Sequence, residues 1–225
     1  MLRLNTLDTT LVEDLWRQAT LRDLVPGALI EHASFTRPTN FSLGAALPDL
    51  TSGGGFSLEL SFTLAELSGP RTLVRHEIAL NDTHTAGLTI GVSATGAVTV
   101  AFADTRGHTQ EWASPGGPVW TAGVTRQVEL IVDGGPKVLS LVVDGVLWDG
   151  GSHSKAGWGV FEYSLGQVTS ATASWCAMPA GGAKGLLHKL RVYPRALRVS
   201  EAISNYQYDA AALPLADPGL APHPS

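Results

Sequence analysis

The stretch Phe56-Ser57-Leu58-Glu59-Leu60-Ser61-Phe62-Thr63 alternates apolar and polar residues without a break. Successive side chains of a β-strand point to opposite faces, so this spacing predicts a strand with one face in a core and the other in water. The same period returns at Leu88-Ile90-Val92, Val98-Val100-Phe102 and Val128-Leu130-Val132, each bounded by Gly, Asn, Asp or Pro. Asp133-Gly134-Gly135-Pro136 and Asp144-Gly145 supply residues that tolerate positive φ and predict two successive hairpins. Between them Val138 to Val143 is apolar on both faces, which predicts an inner strand covered on both sides. Leu186 to Tyr193 reads as the last strand, from which Pro194 forces a turn. Short strands at this spacing imply an all-β sandwich or barrel.

Two short helices are expected outside the strands. Leu11, Val12, Leu15 and Trp16 recur at helical spacing behind Thr9 or Thr10 as N-cap, and Pro26-Gly27 ends that N-terminal helix. Ser200 to Tyr206 predicts a short C-terminal helix, with Ser200 as cap and Glu201 at the positive end of the dipole. The expected organisation is a helical lead-in over residues 1–23, one sandwich over 24–209 and a Pro-rich tail over 210–225. Pro214, Pro218, Pro222 and Pro224 leave that tail little to pack, so it reads as a disordered linker. A chain of 225 residues, 44% hydrophobic, suits a single core.

Fifteen basic against 20 acidic residues, with a net charge of −5 and no basic stripe, argue against nucleic acid as a partner. No apolar run approaches the roughly 18 residues of a membrane span, so no membrane partner is expected. Met1-Leu2-Arg3-Leu4-Asn5 lacks the apolar centre of a signal peptide, although a mature exported chain would have lost its leader. Cys176 is the only cysteine, which excludes an internal disulfide and a four-cysteine zinc site.

Three stretches together resemble the laminin-G-like, concanavalin A-like lectin/glucanase jelly roll over about Leu24 to Tyr208. They are Gly55-Phe56-Ser57-Leu58-Glu59-Leu60, Val132 to Lys137 with Val142-Val143-Asp144-Gly145, and Leu190 to Leu197 followed by Ser200-Glu201-Ala202-Ile203. The resemblance implies a two-sheet antiparallel jelly-roll sandwich and a sugar-binding or interaction module, often with one calcium in its loops. His188-Lys189 stands where such domains usually carry an acidic pair, which weakens the calcium reading. The Asp-Gly-Gly-Pro hairpin, Asp149-Gly150-Gly151, Gly157-Trp158-Gly159 and Ser200-Glu201-Ala202 are similar to modules attached to bacterial and fungal glycosidases, sucrose- and fructan-cleaving ones included.

Glycoside hydrolysis needs two carboxylates flanking the scissile bond, and Glu59 is the only carboxylate on its strand. No catalytic residue is therefore assigned. His76 and His84 flank a hairpin and read as surface-turn residues, while His188 reads as a hydrogen-bonded strand residue. There is no Gly-x-Ser-x-Gly elbow, and Ser52-Gly53-Gly54-Gly55-Phe56 precedes a strand and lacks lysine, so it reads as a flexible entry loop. Asp82, Asp104, Asp133, Asp144 and Asp149 are the carboxylates a loop calcium would use; none has EF-hand spacing, and calcium stays open.

Aromatic residues beside glycine-rich loops are the better lead, because lectin sites pair a flat ring with polar groups that fix hydroxyls. The candidate ligand-binding group is Trp112 and Trp120, which bracket the 114–118 loop, with Asp149, Ser152, His153, Trp158 and Tyr163. For any single tryptophan the core-filler reading is the stronger of the two. The expectation is a non-catalytic carbohydrate-binding module of an extracellular glycosidase, recognising an oligo- or polysaccharide. The alternatives are a structural or oligomerisation domain, packed on a catalytic domain or a second copy, and a glycoside hydrolase or polysaccharide lyase on the same fold.

Overall fold

Strict alternation gives each strand one apolar face, and two sheets bury those faces against each other. The computed structural model describes residues 30–35, 37–43, 45–81, 83–114 and 119–212; the expected N-terminal helix and the tail beyond 212 lie outside them. The strands are β1 Ile30–Phe35, β2 Thr39–Phe41, β3 Gly55–Leu64, β4 Arg71–Ala79, β5 Thr85–Val92, β6 Val98–Ala103, β7 Thr109–Ala113, β8 Thr125–Asp133, β9 Val138–Val143, β10 Val146–Trp148, β11 Trp175–Ala177 and β12 Gly185–Tyr193; helix α1 spans Val199–Ala212. They form two six-stranded antiparallel sheets, ordered β1-β12-β3-β8-β9-β10 and β2-β11-β4-β5-β6-β7. This is the expected all-β sandwich.

Phe56, Leu58, Leu60, Phe62 and Leu64 of β3 are fully buried and share one core with Leu88, Ile90, Val98, Val100 and Phe102 of the second sheet. Asp144 and Gly145 both take positive φ, 50° and 75°, giving the tight β9–β10 turn expected of Asp-Gly. In the β8–β9 turn the positive φ falls instead on Lys137. Gly134 is still required there, because a Cβ would lie 2.0 Å from the Gly54 carbonyl oxygen. Strand β9 is covered on both sides as expected: Leu141 faces the sandwich core, and Val142 packs with Ile131 and Ala202 beneath α1.

Helix α1 is longer than the expected Ser200 to Tyr206 and runs past the boundary placed at residue 209. Its cap is not Ser200. The Glu201 carboxylate reaches back to accept the Arg198 N–H at 2.7 Å and is gripped by both Arg195 guanidinium nitrogens at 2.9 and 2.8 Å. Length follows from what the helix covers: Asn205 and Asp209 are buried against polar side chains of β3 and β12, so the helical register is held by tertiary contacts through its last turns.

His76 is not a surface-turn residue. It is fully buried, stacked on Trp175 with ring centroids 4.4 Å apart, and its Nε2 accepts the Ser170 N–H at 3.0 Å. Burial pushes its pKa down to about 4. The unfolded chain then binds the extra proton between its ordinary value of 6.5 and about 4, so this contribution to stability is complete above pH 6.5 and is lost as pH falls through that window. We expect a loss of about 3 kcal/mol across it. Urea unfolding of wild type and His76→Phe as a function of pH checks this, and an equal acid slope in both proteins would refute it.

Candidate functional site

Helix α1 covers the outer face of the first sheet; among the described residues no helix covers the outer face of the second. The outward positions there are Gly87, Thr89 and Gly91 on β5, Thr99, Ala101 and Ala103 on β6, and Glu111 and Ala113 on β7. Small residues leave a trough over β4 to β7. Two hollows of about 420 and 170 Å³ share Thr89, Ala101 and Glu111. The glycines are demanded by close strand approach, since a Cβ on Gly91 would sit 2.5 Å from the Arg71 carbonyl oxygen.

Pairing places one row of side chains across the sheet: Asn40, Cys176, Arg75, Thr89, Ala101 and Glu111 occupy successive partner positions. Arg75 pairs with Glu77 at 3.1 Å, and both side chains are about half exposed. Such a surface pair is worth roughly 0–1 kcal/mol. The Arg75 guanidinium can therefore turn to another carboxylate at small cost, and its planar fork suits bidentate recognition.

A rim closes the β7 side of the trough. Trp158 donates its indole N–H to the Ala113 carbonyl at 2.7 Å, and the Glu162 N–H is accepted by Gln110 Oε1 at 2.9 Å. Trp158 meets Trp148 edge to face, with centroids 6.5 Å apart. Trp112 lies between the outward Glu111 and Ala113, so its ring turns to the core side, where it is half-buried and packs edge-on against Phe102 and Phe161. Tyr163 is 84% exposed with the Lys137 ammonium 5.4 Å from its ring centroid. Thus Trp112, Trp158 and Tyr163 gather about one edge of the second sheet. Asp149, Ser152 and His153 sit on the exposed turn of the same loop, where Asp149 Oδ1 accepts the Gly151 N–H at 2.9 Å.

Trp120 is a correction. Val119 bridges to Ala97 and points outward, so alternation sends Trp120 inward; it is 2% exposed and packs edge-on to Phe62. It fills the core and offers no face to a ligand. Of the acidic residues weighed for calcium, Asp82 lies outside the described residues and the others have local roles. Burial disfavours charge on Asp104, but His108 and the N–H groups of Gly166, His108 and Arg106 hold its carboxyl well below the usual range. Asp133 and Asp144 accept N–H groups within or beside their turns. Among the described residues no group of three or more His, Cys, Asp or Glu could hold a metal ion.

The trough residues Arg75, Thr89, Thr99 and Glu111 were missed by sequence reading. Their signal was the polar half of ordinary strand alternation, which becomes informative only when strand partners are known. A carboxylate pair was missed for the same reason: Glu59 on β3 lies opposite Glu129 on β8. Both are fully buried beneath α1, and burial pushes Glu59 up to about 7 and Glu129 up to about 9. Glu59 is occupied by Gln127, Arg191, Tyr193 and Asn205. No substrate reaches this pair while the helix is in place.

No family model matches the chain, and no curated protein matches its sequence. Solved structures do match its fold. The CBM40 module of the Ruminococcus gnavus IT-sialidase, bound to α2,6-sialyllactose, superposes with a TM-score of 0.57 at 13% identity, covering 80% of this chain and 100% of that one. The leech intramolecular trans-sialidase, complexed with 2,7-anhydro-Neu5Ac, matches with a TM-score of 0.55 at 15% identity, over 80% of this chain and 28% of the enzyme. The binding domain of botulinum neurotoxin serotype G matches at 0.52 and 10% identity, over 73% of this chain and 38% of that one. The fold is therefore a two-sheet β-sandwich like that of sialidase-associated CBM40 modules. The laminin-G-like assignment and the fructan- or sucrose-cleaving association have no counterpart among these structures. No helix among the described residues is long and apolar enough to cross a membrane.

Proposed function

We propose that this chain is a non-catalytic carbohydrate-binding module, accessory to an extracellular glycosidase, that lays an oligosaccharide carrying an acidic sugar across the open face of its second sheet. The observation that carries the reading is the row Arg75, Thr89, Ala101 and Glu111, of which the last three line a hollow of about 420 Å³ and Arg75 stands beside it as the strand partner of Thr89. Arg75 meets the sugar carboxylate, Thr89, Thr99 and Glu111 fix hydroxyls, and the small residues let the ring lie close to the sheet. Trp158 and Tyr163 supply the rim, with Asp149, Ser152 and His153 on its outer turn and Trp112 supporting it from the core side. The sialoside-bound CBM40 neighbour lends support to an acidic glycan over the fructan expected from sequence. Low affinity at one such open site becomes useful when tethering raises the effective concentration.

Affinity electrophoresis against sialylated, neutral and fructan polymers tests this. A charge-assisted bidentate contact is worth about 1.5–3 kcal/mol, so Arg75→Ala is expected to lose about ten- to a hundredfold in affinity for the acidic glycan. Its melting temperature should stay within a degree or two of wild type, because the surface pair it breaks contributes little. Absence of retardation by every glycan overturns the reading.

One observation favours the scaffold alternative. Val146 and Leu147 on β10 are 68% and 40% exposed, and Val160, which bridges to the start of β9, is 53% exposed; such exposed apolar side chains would suit cover by a catalytic domain or a second copy. Under that reading the chain sediments as a dimer and Val160→Glu returns it to a monomer.

A further inference from the structure

The first sheet carries a hollow that the trough does not use. Helix α1 crosses only part of the outer face, and beyond it a pocket of about 440 Å³ opens, within the range of small-ligand sites. Its floor is the next transverse row, Lys189, Ser61 and Gln127, with Thr125 beside it. A register shift between Leu187 and Lys189 inserts His188 as an extra residue in β12. The bulge turns His188 to the same face as Lys189, where its Nε2 meets Thr63 Oγ1 at 2.7 Å. The His188-Lys189 pair that distinguishes the closing strand therefore lines one cavity.

The wall is aromatic. Tyr206 lies on the bare Cα of Gly145, where a Cβ would come within 2.5 Å of the ring, so the β9–β10 turn has room for this ring only because residue 145 is glycine. Charges in and around the pocket are matched internally: Lys189 pairs with Asp209, and Arg126 with Asp144. An ionic ligand would find no unmatched counter-charge among the described residues, whereas hydroxyl, imidazole, amide and carboxylate groups beside an aromatic ring suit a neutral polyhydroxylated ring.

We propose that this pocket is a second ligand site, on the sheet opposite the trough, that takes one neutral pyranose unit, with the Tyr206 ring against the sugar's apolar face and Ser61, Gln127, His188 and Asp144 on its hydroxyls. It is independent of the acidic-glycan reading, because it shares no residue with the trough. The test is amide chemical-shift mapping of the full chain titrated with methyl glycosides of glucose, galactose, mannose and N-acetylglucosamine at millimolar concentrations. We expect saturable shifts at Ser61, Gln127, His188 and Tyr206 with at least one glycoside. Thr125→Trp, which fills the hollow from an exposed position, should abolish them while leaving shifts by sialyllactose at Thr89, Thr99 and Glu111 intact. Tyr206→Leu keeps a side chain on Gly145 but removes the ring face, and should weaken binding about tenfold or more. No shift around the pocket with any glycoside overturns the proposal, as do shifts confined to the trough, and the second outcome leaves the trough reading standing.

Discussion

Replacing Arg191 with methionine is expected to cost about 3–5 kcal/mol, the usual penalty for removing one partner of a buried ion pair. Arg191 is 3% exposed, and its guanidinium contacts both Glu59 oxygens at 3.1 and 3.3 Å and both Asp209 oxygens at 3.1 and 3.2 Å. Methionine fills much of the volume but leaves two buried carboxyls facing each other, one on β3 and one near the end of α1. Glu59, pushed up to about 7 by burial despite the neighbouring Arg191, would rise further without it. The deficit should therefore be smallest in acid, where Glu59 is protonated, and grow toward alkaline pH. Denaturant unfolding at several pH values, with helical circular dichroism as a second probe of α1, measures both effects. Pairing Arg191→Met with Glu59→Leu should recover part of the loss, because it removes one of the two stranded carboxyls, while Asp209 keeps Lys189 and the Gln127, Tyr193 and Asn205 donors lose their acceptor. A loss under about 1 kcal/mol would mean that Lys189 alone suffices to hold Asp209.

The opposite sign is expected at the adjoining position. Glu129 places both carboxylate oxygens in the interior with no hydrogen-bond partner among the described residues, between β3 and the apolar contact of Ile131, Val142 and Ala202. Burial pushes its pKa up to about 9, and the Glu59 and Glu201 charges add to that. The folded state thus binds a proton that the unfolded chain releases above its ordinary 4.5, so the stability this group permits is fully present below pH 4.5 and is lost as pH rises through 9. At neutral pH the cost is about 3 kcal/mol. Glu129→Leu should recover that amount, raise the melting temperature, and flatten the fall in stability between neutral and alkaline pH. Glu129→Gln separates charge from polarity and should recover the pH slope but less of the stability. Destabilisation by leucine at neutral pH would refute the idea that this carboxyl is a burden on the fold.

The two substitutions show why the architecture was legible while its polar layer was not. Phe56, Leu58, Leu60 and Phe62 announce their strand because alternation is a property of consecutive residues, and Asp144-Gly145 announces its turn because positive φ selects residue types locally. Glu59 and Glu129 obey the same alternation and so read as wet positions; only the return of α1 across the sheet makes them interior. His76 was misread for a similar reason, since its burial depends on Trp175, brought beside it by pairing of β11 with β4. Helix α1 was read too short because its last turns are held by Asp209 against Arg191, a contact that helix propensity does not contain.

For binding, aromatics beside glycine-rich loops are legible in the sequence, and folding gathers Trp112, Trp158 and Tyr163 at one edge of the second sheet while alternation turns Trp120 inward. The amino-acid order by itself determined the all-β sandwich, its principal strands and its tight hairpin, because each depends on spacing within one segment. Only the tertiary structure decided which polar residues are functional candidates and which are buried supports. Arg75, Thr89 and Glu111 become one row, and Ser61, Gln127, His188 and Tyr206 one pocket, through strand pairing and a single bulge between segments far apart in the chain. A site is a coincidence of side chains in space, and that register is set by the burial of the whole core.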